Sequence, residues 1–327
     1  MIRGKDIAAL VGVSRPAVTA VLNGSRPNCV SKEKREAILK IASEHQYRPN
    51  QAAIALKTGK SRMIGVVMPR WDNPYIAGLC MGIQRCLAAR NYTSVFTIDN
   101  NYNPVPGNLD QFLSLRVAGI ITVASSLLPD DIGVPVVSYY HNDPRFDSVC
   151  PDLARDARLI VEHLKEYGHR NFGYLGLHGD KRIRYLAAEA ARCGLDFPKR
   201  WQSWNPGGKT EGTDYFSRLL KVNEGQDLPG ALVVLSDNVA FHAYQSIRRH
   251  KFRIPEDFSI VSHDNIAYCG SLSPALTSLS FGSPDEVAGE MVRLLMERIK
   301  NPGKPREISL LKSELIVRES TKKKYEV

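Results

Sequence analysis

The chain has 327 residues, 43% hydrophobic and 24% charged, which excludes a disordered or fibrous protein and leaves room for two or three domains. No stretch approaches the roughly 18 apolar residues of a membrane span, and the opening Met1-Ile2-Arg3-Gly4-Lys5-Asp6 is charged where a signal peptide is apolar, so a cytoplasmic chain is expected. The net charge of +10 is unevenly placed: residues 1–60 hold eleven Lys or Arg against four acids, which leaves only +3 for the rest. A basic module ahead of a nearly neutral body suits a polyanion, because Lys and Arg that neutralise phosphates release counterions. An anionic membrane surface would exert the same attraction. Six scattered cysteines without a C-x-x-C pair read as reduced core fillers.

Residues 5–11 place Ile7, Ala8, Leu10 and Val11 at helical spacing before Gly12, which suits a tight turn. Ser14 then caps a second helix with Pro16 in its first turn, where a missing N–H costs little, and Val18, Val21 and Leu22 facing inward. That orientation turns Arg15, Pro16, Thr19 and Ala20 outward, in a helix-turn-helix. A third helix starts at Ser31, with Glu33 in its first turn and a stripe of Ala37, Ile38, Ile41 and Ala42. Residues 51–57 favour a helix but fall short of the ~12–15 residues an isolated helix needs. They are expected to order only with support, the alternative being a plain linker. From Met63 onward, apolar strand-like runs alternate with amphipathic helices in two sets, which predicts an α/β body of parallel sheets flanked by helices. Ligands are expected at the carboxyl ends of such strands.

The run Asp6-Ile7-Ala8, Gly12-Val13-Ser14, Val18-Thr19, Val21-Leu22-Asn23, Val30-Ser31, Arg35 and Tyr47-Arg48-Pro49-Asn50 resembles the headpiece and hinge of lactose-repressor (LacI/GalR) family regulators. The likeness continues through Ile64-Gly65-Val66-Val67, Asn73-Pro74-Tyr75, Gly168-His169-Arg170, Ile254-Pro255-Glu256-Asp257 and Arg318-Glu319-Ser320-Thr321. It implies a headpiece over 1–49, a hinge helix or linker over 50–60, and a periplasmic-binding-protein-like core over 61–327 that binds effector and dimerises. One lobe would take about 61–151 plus 282–311, the other about 152–281 plus 312–327. The family pattern gives base contacts to Arg15, Pro16 and Ala20 and phosphate contacts to Thr19, Asn23 and Ser31, with Ser14, Asn50 and Ala53 in the same DNA-binding set. Leu56 holds the position of a leucine that wedges into a base step of the minor groove.

Effector contacts are expected from Arg70, Trp71, Asp72, Asn73 and Tyr75 after the first strand, where amide, carboxylate and flat aromatic suit a sugar. The family pattern adds Arg184, Ser236, Asp237, Asp264 and Phe281. Departures stand at Ala20, Ile54, Leu153, Ser236 and His263. Asn205-Pro206-Gly207-Gly208-Lys209-Thr210 ends like a P-loop, but Ser203 stands where its first glycine belongs. The histidines form no metal-ligand cluster, and no catalytic motif is present, so neither cofactor nor enzyme activity is expected. The charged tail lacks heptads, favouring a homodimer over a tail-linked tetramer. The expected function is regulation of transcription from a near-palindromic double-stranded DNA operator, controlled by a sugar-like small molecule. The alternative is a sugar-binding protein or sugar-acting enzyme that does not read DNA.

Overall fold

The structure, a computed structural model, describes residues 2–22, 29–47, 61–69, 73–99, 106–123, 125–177, 179–205 and 214–324. The chain divides into two compact units, Met1–Arg62 and Met63–Val327.

The first unit holds α1 (Gly4–Val11), α2 (Arg15–Leu22) and α3 (Lys32–Glu44). Gly12 ends α1 at φ 64°, a left-handed conformation that glycine adopts without a Cβ clash. Ser14 Oγ accepts from the Ala17 N–H at 3.3 Å, and Ser31 Oγ accepts from the Lys34 N–H at 3.3 Å. Ile7, Ala8, Val18, Val21, Ile38 and Ala42 close one core. The Lys34 ammonium donates to the Gly12 carbonyl at 3.1 Å, tying α3 to the turn. Gly4 lies under Tyr47, whose hydroxyl would be 2.6 Å from an added Cβ, so any other residue there would have to push the tyrosine ring aside.

In the second unit the described residues form two six-stranded sheets. The first runs β11-β5-β4-β3-β1-β2, with β1 (Met63–Pro69), β2 (Thr93–Asp99), β3 (Gly119–Thr122), β4 (Val136–Tyr139), β5 (Asp147–Pro151) and β11 (Ile308–Leu311). The second runs β12-β10-β9-β8-β6-β7, with β6 (Gly173–Leu177), β7 (Gln202–Asn205), β8 (Ala231–Val234), β9 (Ser259–His263), β10 (Thr277–Ser280) and β12 (Glu314–Ile316). Helices α4 (Pro74–Ala88), α5 (Pro106–Ser114), α6 (Leu153–Glu166), α7 (Arg182–Cys193), α8 (Tyr215–Val222), α9 (Asp237–Arg249) and α10 (Pro284–Lys300) lie between the strands in sequence. The α/β class expected from the alternation is the one observed. One strand differs: β12 runs antiparallel to β10, because the chain returns to the second sheet from β11 across residues 312–313 with no intervening helix.

The chain thus passes between the sheets after β5, after β10 and after β11. α4 and α10 approach closely: a Cβ on Gly82 would meet the Ala288 methyl at 2.8 Å. Cys80, Cys150, Cys193 and Cys269 are buried and Cys86 is half-buried, as core fillers should be. Cys29 is exposed and fills no core.

The last crossing is braced by a buried carboxylate. Asp156, in the first turn of α6, accepts from Ser313 Oγ, while its Oδ2 finds no hydrogen-bond partner among the described residues. Burial pushes its carboxyl up to about 6, against the pull of the Ser313 hydrogen bond. A carboxyl raised in the folded state stabilises the fold while protonated, and that contribution is lost as pH climbs from about 4 through 6. Asp156→Asn should therefore gain about 2–3 kcal/mol relative to the native chain between pH 4 and pH 8. Urea unfolding at the two pH values checks this; a pH-independent difference would mean an ordinary carboxyl.

Candidate functional site

α2 buries Val18 and Val21 and exposes Arg15 and Pro16 at its start. Thr19 and Ala20 are half-buried, less open than the sequence suggested, and the Thr19 hydroxyl donates back to the Arg15 carbonyl at 3.2 Å. Ser14 and Ser31 are exposed, each with its oxygen accepting a helix cap, which leaves the hydroxyl proton as a donor. The exposed face therefore offers one guanidinium, one pyrrolidine ring and two hydroxyls. Asn23, Asn50, Ala53 and Leu56 lie outside the described residues.

In the second unit, polar and aromatic side chains gather at the carboxyl ends of both sets of parallel strands. From the first sheet come Asn73 and Tyr75 at the start of α4, and Tyr139 at the end of β4. Asn73 Oδ1 accepts from the Tyr75 N–H at 2.8 Å, and its Nδ2 donates to Asp264 Oδ2 at 3.0 Å. The buried Tyr75 ring stands edge-on to Phe281 with centroids 6.4 Å apart. Its hydroxyl is pushed far above its ordinary range by burial and by the neighbouring Asp264 charge.

From the second sheet come Asp180 and Arg182 after β6, Ser236 and Asp237 after β8, His263 and Asp264 at β9, and Phe281 after β10. The Arg182 guanidinium is nearly enclosed: Nη2 lies 2.8 Å from Asp180 Oδ2, and Nη1 donates to the Leu235 carbonyl at 2.7 Å. Tyr174 Oη also donates to Asp180. Burial alone would raise the Asp180 carboxyl, but the Arg182 charge and these hydrogen bonds hold it below the ordinary range. Asp264 goes the other way, to about 7, through burial and the charge of Asp237, against the Asn73 hydrogen bond. His263 Nδ1 lies 2.8 Å from the Val234 carbonyl, and burial, then the Arg182 charge, press the ring down to about 3. A neutral ring donating through Nδ1 keeps Nε2 as the acceptor.

Several expected contacts thus have other partners. Ser236 caps α9, its Oγ accepting from the Val239 N–H at 3.4 Å. Asp237 is fully buried and accepts from the Ile266 N–H at 2.9 Å and from Ser278 Oγ at 2.7 Å, pinning the segment after β9 to β10. Arg184 is exposed and lies over its neighbour Tyr185, 4.6 Å from the ring centroid, apart from Asp264. The guanidinium inside the cluster is that of Arg182, which sequence reading overlooked. A signal for it existed: Arg182, Leu186 and Ala190 fall on one i, i+4 stripe, the stripe α7 buries. Arg70, Trp71 and Asp72 lie outside the described residues, as do residues 206–210 of the P-loop-like run. Among the described residues no group of three or more His, Cys, Asp or Glu could hold a metal ion, and no helix is long and apolar enough to cross a membrane.

A three-helix module of this build ahead of a two-sheet body matches known families at both ends. Residues 5–50 match the model of bacterial regulatory proteins of the lacI family, and residues 161–321 match the periplasmic binding protein-like domain. The chain thus carries a lacI-family helix-turn-helix domain followed by a periplasmic-binding-protein-like domain. Among curated relatives it is 25% identical to the HTH-type transcriptional repressor PurR of Mannheimia succiniciproducens, with 98% of each chain covered. It is 27% identical to the ribose operon repressor of Haemophilus influenzae, with 97% of each covered. In fold it resembles the lac repressor dimer bound to operator and the anti-inducer ONPF, at a TM-score of 0.79 and 20% identity over 98% of this chain and 99% of that one.

The contrast between the two arginines of α7 is measurable. Arg182→Ala leaves the buried Asp180 without its cation and should cost about 3–5 kcal/mol, whereas Arg184→Ala should cost under about 1 kcal/mol. Equilibrium unfolding of the two variants checks the pair, and equal losses would contradict the assignment of Arg182 to the interior.

Proposed function

We propose that this protein is a transcriptional repressor that binds a near-palindromic DNA operator as a homodimer, under the control of a small, sugar-like effector held between the two lobes of its body. The observation that carries the reading is the second helix of the headpiece, which seals Val18 and Val21 into the core and presents Arg15 and Pro16 to solvent at its start. A helix held in this way can enter a major groove by its first turn. Arg15 reads guanine through two parallel hydrogen bonds, Pro16 and Ala20 supply apolar contact, and Ser14 and Ser31 bind phosphate oxygens, joined by Thr19 once its hydroxyl turns from the Arg15 carbonyl. Asn23, Asn50, Ala53 and Leu56 complete the interface by the family pattern.

In the body, the cluster at the strand ends would hold the effector, with Asn73, Tyr75, Asp264 and Phe281 as its wall and Arg182 and His263 beneath. Arg70, Trp71 and Asp72 join this set on sequence grounds. Ser236, Asp237 and Arg184 enter it less directly: the first two shape the loops and the last remains at the surface. The domain division proposed for the chain follows the two sheets, and a DNA-reading role places the protein in the cytoplasm. Binding, with no chemical step, accounts for these groups. The named relatives support regulation over the alternative of a sugar-binding protein or enzyme that ignores DNA.

Selection of binding sites from a randomised duplex pool tests the reading. A two-fold symmetric motif should emerge, and Arg15→Ala should weaken its binding by about 1–3 kcal/mol and relax the base preference at one position of each half-site. Equal, salt-sensitive affinity for every duplex would refute sequence-specific regulation.

A further inference from the structure

Asn73 uses both ends of its amide. Its Oδ1 caps α4 through the Tyr75 N–H, and its Nδ2 reaches Asp264, 191 positions away. α4 packs with α10 beside the first sheet, whereas Asp264 follows β9 of the second. One side chain therefore begins a helix in one lobe and grips a carboxylate in the other.

Asp264 is itself held in an unusual conformation. Its φ of 103° lies in the left-handed region that favours glycine and, among other residues, Asn and Asp. Such a conformation persists only where surrounding contacts fix it. Around its carboxylate stand Asp237 of α9, Arg182 of α7, Tyr75 of α4, Tyr139 of β4 and Cys269 of the segment after β9. Arg182 is committed to Asp180 and the Leu235 carbonyl, so the donor that reaches the Asp264 oxygen is the Asn73 amide.

We propose that Asn73 and Asp264 form a clasp that holds the two lobes shut. Both residues of the clasp belong to the body. Its consequence rests on the proposed function: a ligand that reaches Asp264 must bring a donor of its own, and its apparent affinity falls with the fraction of chains held shut.

Hydrogen–deuterium exchange on the full chain, free of ligand and DNA, tests the clasp in peptides spanning 139–146 and 262–271, one from each side. Asn73→Asp keeps a capping oxygen but replaces the amide donor with a second acid facing Asp264. It should raise exchange several-fold in both peptides while residues 74–88 stay protected. Asn73→Ser, which also caps but carries no amide, should do the same. Adding Asp264→Asn to Asn73→Asp reverses donor and acceptor and should return exchange to near the native level; asparagine tolerates the left-handed backbone at that position.

Native exchange in Asn73→Asp and Asn73→Ser would overturn the clasp. So would failure of the double variant to recover, which would assign the effect to each side chain separately. Should the chain prove not to read DNA, these exchange results would stand unchanged, so the two ideas fail separately.

Discussion

A parallel sheet delivers all its strand carboxyl ends to one edge, and the loops that follow must be held there without the ladder bonds that hold the strands. In this body two such edges supply the polar groups, and three of the described loop segments are held by a side chain that satisfies backbone or partner groups nearby. Asp237 holds the segment after β9 through the Ile266 N–H and Ser278. Arg182 holds the Leu235 carbonyl after β8. Arg145 does the same in the first lobe, donating to the carbonyls of Ser125 and Leu128 at 2.7 Å each while paired with Asp143. The charges buried here are thus structural first, and they keep the loops rigid enough for the remaining groups to face one another.

Much of this was legible in the sequence, and the failures share a cause. The headpiece was readable because its signals are local: a cap, a glycine, and an apolar stripe within about two turns. The long β1 and α4 were readable for the same reason. β10 was not, because its buried positions include Thr277 and Ser278, whose hydroxyls are satisfied by partners far along the chain. A strand whose interior is built from such residues lacks an apolar run, and only tertiary contact shows where its hydroxyls go. Arg182 was missed for a related reason: a cation in the first turn of a helix reads as solvated until Asp180 and the Leu235 carbonyl are seen to enclose it.

The departures from the family pattern also gain a physical account. Ser236 keeps the helix cap that an asparagine would make, with one oxygen and no amide to spare. His263 retains the flat ring of a phenylalanine, nearly parallel to Phe281 with centroids 6.4 Å apart, and ties its Nδ1 to Val234. Pressed down to about 3, it stays neutral and places an acceptor nitrogen on a face that would otherwise be hydrocarbon. Leu153, half-buried at the start of α6, removes a polar group from the crossing beside it. These substitutions preserve the shape of the site and rearrange its donors and acceptors.

That rearrangement bears on what the proposed crevice can select. Among its described groups, Arg182 is neutralised by Asp180, His263 is uncharged, and burial beside Asp237 pushes the Asp264 carboxyl up toward its neutral form. Net charge therefore gives this cluster little leverage over a ligand. Discrimination falls to hydrogen-bond geometry, where the asymmetry is large: leaving a buried acceptor unpaired costs more than a well-made hydrogen bond contributes. Asp264 accepts from Asn73 and would take a ligand's donor in its place, and Tyr75 and Phe281 offer aromatic surface beside it. A neutral ligand with hydroxyl or N–H groups on one edge and a flat apolar face satisfies these together, whereas an anion would meet Asp264 with no free cation among the cluster's described groups to offset it.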